Sequence, residues 1–469
     1  MRAVRYNRAM RIAIAQTPGT RLEEWPRTRA IVVDLLSRAA DLRADVVLLP
    51  ECVWPAYYIG SSAAYFAARE AGLPDPQHFL DLLSEHARRL RLAICAGYIE
   101  EQGGGLANTA GIIGADGRLC GVHRKCFLWD FDHEFFRPGD GVTPIETPFG
   151  TVGVMICADA RLPEIAASLA ARGARLILQP TAWVNVGTAD RLSNPQPEFL
   201  IAARACELGV PIASASKWGC EGETTLVGSS LICDADGAIL AQAGTAETTV
   251  LVADVEPRTP KPLMLTAAQR TALLTPAAPA PPRADVPPLA LVPLPMGADE
   301  ETCRSVAASQ SGPGRPVLAV GWQEEEAGRA RGAAGASGAH AAVICRTLPA
   351  PLDVDGIRIA TLEGPEVRGF AAARVLTLGG VHVVVVLDAD VPPALLRARA
   401  CENRIFVVAI NADGWRVFDP RGQTAGAGTW SPVGSEKTGA VLDVGSAADK
   451  RFARNTDLLS GRRPAQYAV

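Results

Sequence analysis

Between Arg11 and about Pro260 the chain repeats one alternation, a short apolar run without a polar face and then a longer stretch whose apolar residues recur at helical spacing. RIAIAQ (11–16) reads as a strand, TRAIVVDLLSRAADLRA (28–44) as a helix, and VVLLP (46–50) as a fully buried strand. DLLSEHARRL (81–90) is a second helix, and LAICAGYIE (92–100) and TAGIIG (109–114) are strands joined through a Gly-rich turn. The Ala115-Asp116-Gly117 turn leads to a further strand. TVGVMIC (151–157) is another buried strand and runs at once into the helical LPEIAASLAARG (162–173). LILQP (176–180), PIASAS (211–216), SSLICD (229–234) and TVLVADV (249–255) complete the set. A strand apolar on both faces needs a layer packed on each side, so the alternation predicts a layered α/β domain.

A chain of 469 residues exceeds what one hydrophobic core usually organises, so two domains are expected. Six prolines fall between Pro276 and Pro288, a density that suits a stiff extended linker. The expected limits are therefore a first domain over 9–270, a linker over 271–288 and a second domain over 289–469. A Gly/Ala-rich stretch, AGRARGAAGASGAHA (327–341), reads as a flexible loop within the second half.

The half of the chain after the linker repeats the half before it. Ala203-Arg204-Ala205-Cys206-Glu207 returns as Ala398-Arg399-Ala400-Cys401-Glu402, each time at the end of a helix and before a strand. Residues 150–180 line up without gaps with 356–386, and 231–241 with 416–426. Three blocks in one order favour a tandem duplication over chance. In this register Cys157 falls on Glu363. Trp322 is the nearest counterpart of Glu51, and Ala342 falls where Lys125 is expected. The second copy therefore reads as shortened and catalytically silent.

Composition removes several function classes. Lys and Arg number 46 against 50 Asp and Glu, a net charge of −4, and no basic tract offers a phosphate-binding footprint. Nucleic acid is not expected as a partner. No apolar run approaches the roughly 18 to 20 residues that cross a bilayer, and the N-terminal MRAVRYNRAM lacks the apolar region of a signal peptide. A soluble cytoplasmic protein is expected. Eleven cysteines, an odd number dispersed in strand-like runs, suit reduced thiols rather than a disulfide framework. Cys120, His123, Cys126 and His133 have gaps loosely like those of a zinc site, but strand alternation puts Cys120 and His123 on opposite faces. Neither metal nor cofactor is expected.

Three residues stand at strand edges, where ligands meet α/β sheets. Glu51 closes the run VVLLP, Lys125 ends RLCGVHRK, and Cys157 lies between a buried strand and a helix start, a place that lowers a thiol's pKa. Singly, each reads more simply as packing or as the first solvated residue of a loop. Together, a carboxylate, an ammonium and a thiol make an acyl-transfer site. A Cys–His pair is the competing arrangement, with His123 the nearest histidine in sequence.

The flanking residues bear on that choice. Leu49-Pro50-Glu51, His123-Arg124-Lys125 and the string Gly153-Val154-Met155-Ile156-Cys157-Ala158-Asp159-Ala160-Arg161-Leu162-Pro163-Glu164 closely resemble the three motifs of the nitrilase, or carbon–nitrogen hydrolase, superfamily. The resemblance runs from about Arg11 to Asp254 and includes Gln179-Pro180-Thr181-Ala182-Trp183. It implies an α-β-β-α sandwich in which Cys157 attacks carbon, Glu51 takes its proton, and Lys125 with the Ala158 N–H holds the oxyanion. It also implies that Glu134, four residues before Pro138, orients substrate and Lys125, and that Trp183 lies beside the substrate pocket. Asp159, Arg161 and Glu164 read as scaffold. Family members acting on true nitriles carry Trp and Glu after the cysteine, whereas Ala158-Asp159 resembles the amide and N-carbamoyl branches. The expected reaction is hydrolysis of a small amide or carbamoyl substrate through a thioester; nitrile cleavage and a non-enzymatic binding module are the alternatives. The resemblance further implies that the second copy packs on the first as an intramolecular pseudo-dimer.

Overall fold

The computed structural model describes residues 9–277, 286–294, 300–313, 316–320, 334–336, 340–344, 348, 350–429 and 439–469. The chain divides into two compact units, one of residues 1–263 with 453–456 and 463–469, the other of 264–452 with 457–462.

In the first unit the strands are β1 (Met10–Pro18), β2 (Val46–Leu48), β3 (Ala93–Gln102), β4 (Gly105–Ile113), β5 (Leu119–Arg124), β6 (Ile145–Thr147), β7 (Gly150–Val154), β8 (Leu176–Pro180), β9 (Ile212–Ala215), β10 (Lys217–Glu221), β11 (Thr224–Val227), β12 (Leu231–Cys233), β13 (Ile239–Gln242) and β14 (Thr249–Val255). The helices are α1 (Trp25–Asp41), α2 (Ser62–Glu70), α3 (Pro76–Leu90), α4 (Asp132–Phe135), α5 (Pro163–Ala171) and α6 (Ile201–Leu208). One sheet runs β11-β10-β1-β2-β3-β4-β5 with β14 also on β1, and the other runs β13-β12-β9-β8-β7-β6. The sheets face each other through β1, β2 and β3 on one side and β8 and β9 on the other; α1 and α3 cover the first sheet, α5 and α6 the second. This is the expected four-layer sandwich.

The apolar spacing dictates those layers. In α1 the buried residues Thr28, Val32, Leu35, Leu36 and Ala39 make one stripe, which packs with Ala13 and Ala15 of β1 and Val47 of β2. Each buried Val or Leu there contributes about 1.5–3 kcal/mol of transfer free energy. α3 is fixed at both ends: Asp75 accepts the His78 N–H at 2.8 Å, Pro76 takes the first turn, and Arg91 closes it in the left-handed region. The strand expected over 151–157 ends earlier, at Val154, because the chain turns so that Cys157 opens a short 3-10 turn, Cys157–Arg161.

The second unit holds α7 (Ala267–Leu274), β15 (Leu289–Pro293), α8 (Glu300–Gln310), β16 (Val317–Val320), β17 (Ala334–Ala336), β18 (Ala341–Ile344), β19 (Leu352–Val354), β20 (Ile357–Glu363), α9 (Gly364–Val367), α10 (Ala371–Leu378), β21 (Val383–Leu387), α11 (Pro393–Asn403), β22 (Phe406–Asn411), β23 (Gly414–Phe418), β24 (Thr424–Gly428) and β25 (Ala440–Leu442). Its sheets run β17-β18-β16-β15-β25 and β19-β20-β21-β22-β23-β24. Val383 and Val385 face one apolar cluster and Val384 and Val386 another, the signature of a strand buried on both sides. The second sheet has the order and sense of β6-β7-β8-β9-β12-β13: antiparallel, parallel, parallel, antiparallel, antiparallel. A register shift falls at Ile232/Cys233 in one and at Val417/Phe418 in the other. Likewise β25-β15-β16-β18 repeats the senses of β14-β1-β2-β3.

Three details depart from the sequence reading. The linker expected over 271–288 begins inside α7, whose Thr266 cap accepts the Gln269 N–H at 3.1 Å; residues 278–285 lie outside the described ones. β18, which carries Ala342, pairs with β16 as β3 pairs with β2, so Ala342 is not placed as Lys125 is, after a fifth strand. Trp322 and most of 327–341 lie outside the described residues. Among those described, no helix is long and apolar enough to cross a membrane.

Candidate active site

Glu51, Lys125 and Cys157 come from separate strand ends and meet in the first unit. Glu51 follows β2 and is fully buried. Its Oε1 accepts from Asn108 Nδ2 at 2.7 Å and from Lys125 Nζ at 2.7 Å; its Oε2 accepts from the Ala182 N–H at 2.8 Å. Gly97 of β3 allows that placement. A Cβ at 97 meets the Glu51 Cα at 2.6 Å and the Cys52 N at 2.7 Å, both backbone atoms that cannot step aside.

Lys125 follows β5, and its main chain is tied on both sides: its N–H donates to Asn108 O at 2.9 Å and its carbonyl accepts from Gly139 at 2.8 Å. The ammonium bridges Glu51 and Asp132 Oδ2, the latter at 2.6 Å, and lies 5.4 Å from the Tyr57 ring centroid. All three charged side chains are sealed from solvent. Burial alone pushes the Lys125 pKa down, but the Asp132, Glu51 and Cys157 charges outweigh it and hold the group well above 10.5. Glu51 is raised, chiefly by burial and further by Asp132, against the lowering pull of Lys125.

Cys157 occupies the left-handed region at φ 44°, a conformation that a non-glycine residue takes only when its surroundings hold it there. Gln179 does part of this: its Nε2 donates to the Cys157 carbonyl at 3.0 Å, while Ser214 Oγ donates to its Oε1 at 2.7 Å. The sulfur lies 4.0 Å from the Ala182 carbonyl, so one residue's backbone faces both the Cys157 sulfur and Glu51. The pKa of Cys157 is pushed up to about 12 by burial and the Glu51 charge, against lowering by Lys125, Thr181 and Ala182. This corrects the expectation of a lowered thiol. A five-residue 3-10 turn gives little dipole, and desolvation beside a carboxylate dominates. Burial and the Glu51 charge therefore favour the protonated thiol over the thiolate at this position.

Asp159 fastens the cysteine turn to the segment after Lys125. Its Oδ1 accepts from Cys126 N at 3.1 Å and Phe127 N at 2.8 Å, and its Oδ2 from Ile156 N at 2.9 Å. His123 Nε2 lies 2.9 Å from the same Oδ2, buried, so His123 serves that hub and is not shown paired with Cys157. Of the other residues weighed as metal ligands, Cys126 Sγ lies 3.4 Å from both the Arg124 and the Gly141 carbonyl oxygens, either of which can accept its single S–H, and His133 is exposed.

The supporting residues fall differently. Ala158 is buried in the first turn after Cys157, where helix geometry supplies no acceptor for its N–H. Trp183 is fully buried next to Ala182, its N–H donating to Ser216 Oγ at 3.3 Å, and its indole Nε1 has no partner. Glu134 does not touch Lys125. It is exposed and pairs with Arg454 at 2.6 Å, while Asp132, two residues earlier, holds the ammonium. Two residues, about half a helical turn, separate the two choices: α4 points position 132 inward and 134 outward. Both are carboxylates that follow Lys125 closely, so the local sequence did not distinguish them. Asn108, in the apolar run of β4, gave no signal beyond being polar there.

In composite, a buried thiol, a carboxylate of raised basicity and an ammonium fixed by two carboxylates can remove a proton, attack carbon and stabilise the resulting oxyanion. By sequence, residues 11–261 match the family model described as carbon-nitrogen hydrolase. The omega-amidase NIT2 of Mus musculus is 32% identical over 258 residues, covering 52% of this chain and 88% of that protein. The omega-amidase NIT2 of Homo sapiens is 31% identical over 254 residues, covering 52% and 87%. Among solved structures, an amidase from Nesterenkonia sp. aligns with a TM-score of 0.45 and 26% identity over 53% of this chain and 91% of that one.

Proposed function

The chain belongs to the carbon–nitrogen hydrolase family and hydrolyses carbon–nitrogen bonds, and from this premise we propose that Cys157, Glu51 and Lys125 cleave small amides through a thioester. The observation that carries the reading is the buried Lys125 ammonium, bonded to Glu51 and Asp132 and electrostatically coupled to the Cys157 sulfur. As the amide carbonyl arrives, Glu51 takes the thiol proton and the sulfur bonds to carbon. Charge develops on oxygen, where Lys125 and the Ala158 N–H hold it. Collapse breaks the C–N bond, and the proton on Glu51 goes to nitrogen as ammonia leaves. Glu51, ionised again, deprotonates a water that attacks the thioester. The second collapse returns the proton to sulfur and releases the acid.

The omega-amidase relatives point to ω-amides as the substrate class, with the Trp183 indole N–H as a donor to the acyl portion. Ammonia release is to be measured over ω-amides of dicarboxylic acids, simple aliphatic amides, N-carbamoyl amino acids and nitriles, with Cys157→Ala in parallel. Turnover of ω-amides that vanishes in C157A is expected. Activity persisting in C157A overturns the nucleophile, and preference for nitriles or carbamoyl compounds overturns the substrate class.

The C-terminal unit is read as a second copy of the domain without a working site. Supporting this are the matching strand senses, the matching register shifts, and the buried i,i+3 ion pairs Arg204–Glu207 in α6 and Arg399–Glu402 in α11. At the position matching Cys157 it presents Glu363, exposed at the end of β20. A silent copy predicts that C157A leaves no residual thiol-dependent turnover anywhere in the chain.

A further inference from the structure

Asp132 stands in a turn that the rest of the first unit must hold in shape. Trp129 N donates to Asp132 Oδ2 at 2.9 Å and Asp132 N donates to Trp129 O at 2.6 Å, so the turn closes on the carboxylate that grips Lys125. Between them Asp130 takes the left-handed region at φ 31°, costly for most residues with a Cβ and more readily adopted by Asp, so hydrogen bonds to this residue help set the turn. The fixing groups lie more than 300 residues away. The Asp130 N–H donates to Thr456 Oγ1 at 2.7 Å, and Thr456 is buried. Arg454 donates from Nε to Asp130 Oδ1 at 3.3 Å and from Nη2 to Glu134 Oε1 at 2.6 Å. Both flanks of Asp132 are thus held by residues 454 and 456, which belong to the same unit.

We propose that Thr456 and Arg454 are positioning residues for catalysis, fixing the Asp130–Glu134 turn so that Asp132 sets the Lys125 ammonium; the inference rests on the catalytic reading above. Of the two, Thr456 carries more weight. Thr456 is itself buried, whereas Arg454 is two-thirds exposed and its ion pairs are screened. The exposed Glu134 thereby acquires a purpose unrelated to substrate, as the far anchor of the Arg454 clamp.

The test uses the full chain with Thr456→Val, which keeps the shape and removes the acceptor, Thr456→Ser, which keeps the hydroxyl, and the exposed Arg454→Gln. T456V is expected to lower kcat for ammonia release about five- to tenfold with KM nearly unchanged, T456S to recover most of it, and R454Q to show the same change about twofold. A second readout needs no substrate: the rate at which iodoacetamide alkylates Cys157 across pH, followed by mass spectrometry. A displaced Lys125 lowers the thiol pKa less, so alkylation at a given pH slows in T456V and recovers in T456S. Wild-type alkylation in both T456V and R454Q overturns the proposal, as does an equal loss in T456V and T456S. If the wild-type chain turns over no amide, the function above fails while the alkylation rates still decide this inference. If T456V does not fold, R454Q decides alone, a slowed rate supporting the proposal and an unchanged one overturning it.

Discussion

Replacing Asp132 by Asn tests whether the ammonium works because two carboxylates fix it. Asn keeps the shape and removes the charge 2.6 Å from Lys125 Nζ. Two unit charges at that distance in an effective dielectric of about 20 attract by roughly 6 kcal/mol, and desolvation of the pair offsets much of this. Breaking such a buried pair on one side costs about 3–5 kcal/mol. Glu51 remains on the ammonium, so the loss in transition-state stabilisation is expected near that of one oxyanion donor, about 100- to 1,000-fold in kcat. The pH profile supplies the sharper signature. Asp132 raises the pKa of both Glu51 and Lys125. Its removal should move the acid limb of kcat/KM to lower pH and bring an alkaline limb down from beyond the measurable range. The measurement is ammonia release from about pH 4 to about pH 10 beside a thermal melt. A variant that folds, keeps kcat within about twofold and shows both limbs unmoved refutes the assignment of Asp132 to the Lys125 ammonium.

On the proposed mechanism the acid limb of the wild-type enzyme should lie above the range of an ordinary glutamate, because a general base at Glu51 works only when ionised and burial raises its pKa. Initial rates against pH check this; the same raised pKa means that Glu51's contribution to stability is fullest at low pH and is lost as pH rises through its folded-state value, the sign expected of a group kept for chemistry. Gly97→Ala is expected to cost about 1–3 kcal/mol in a thermal melt and most of the activity, since the new Cβ meets the Glu51 backbone at 2.6 Å; a G97A enzyme of normal kcat would show that Glu51 tolerates displacement.

The sequence by itself determined the layered α/β architecture of the N-terminal region and marked the strand ends on which the proposed site is built. Strands apolar on both faces, such as VVLLP and LILQP, have no stable place except between layers, and Glu51, Lys125 and Cys157 follow strand ends that local pattern makes visible. Similar stretches in the two halves were also visible, and the strands they contain run in the same senses in the two units. Tertiary structure alone decided what each group's surroundings do to it. The thiol that a helix start was expected to acidify is raised to about 12, because burial and the Glu51 charge are nonlocal. Asp132 rather than Glu134 grips Lys125, since about half a helical turn decides which side chain faces inward. The particular bonds from Thr456 and Arg454 to the Asp130–Glu134 turn were not legible, because hydrogen bonds spanning more than 300 residues leave no periodic trace in sequence. Periodicity reports which faces are buried, whereas charge, desolvation and long-range hydrogen bonds depend on distances that only the folded chain sets.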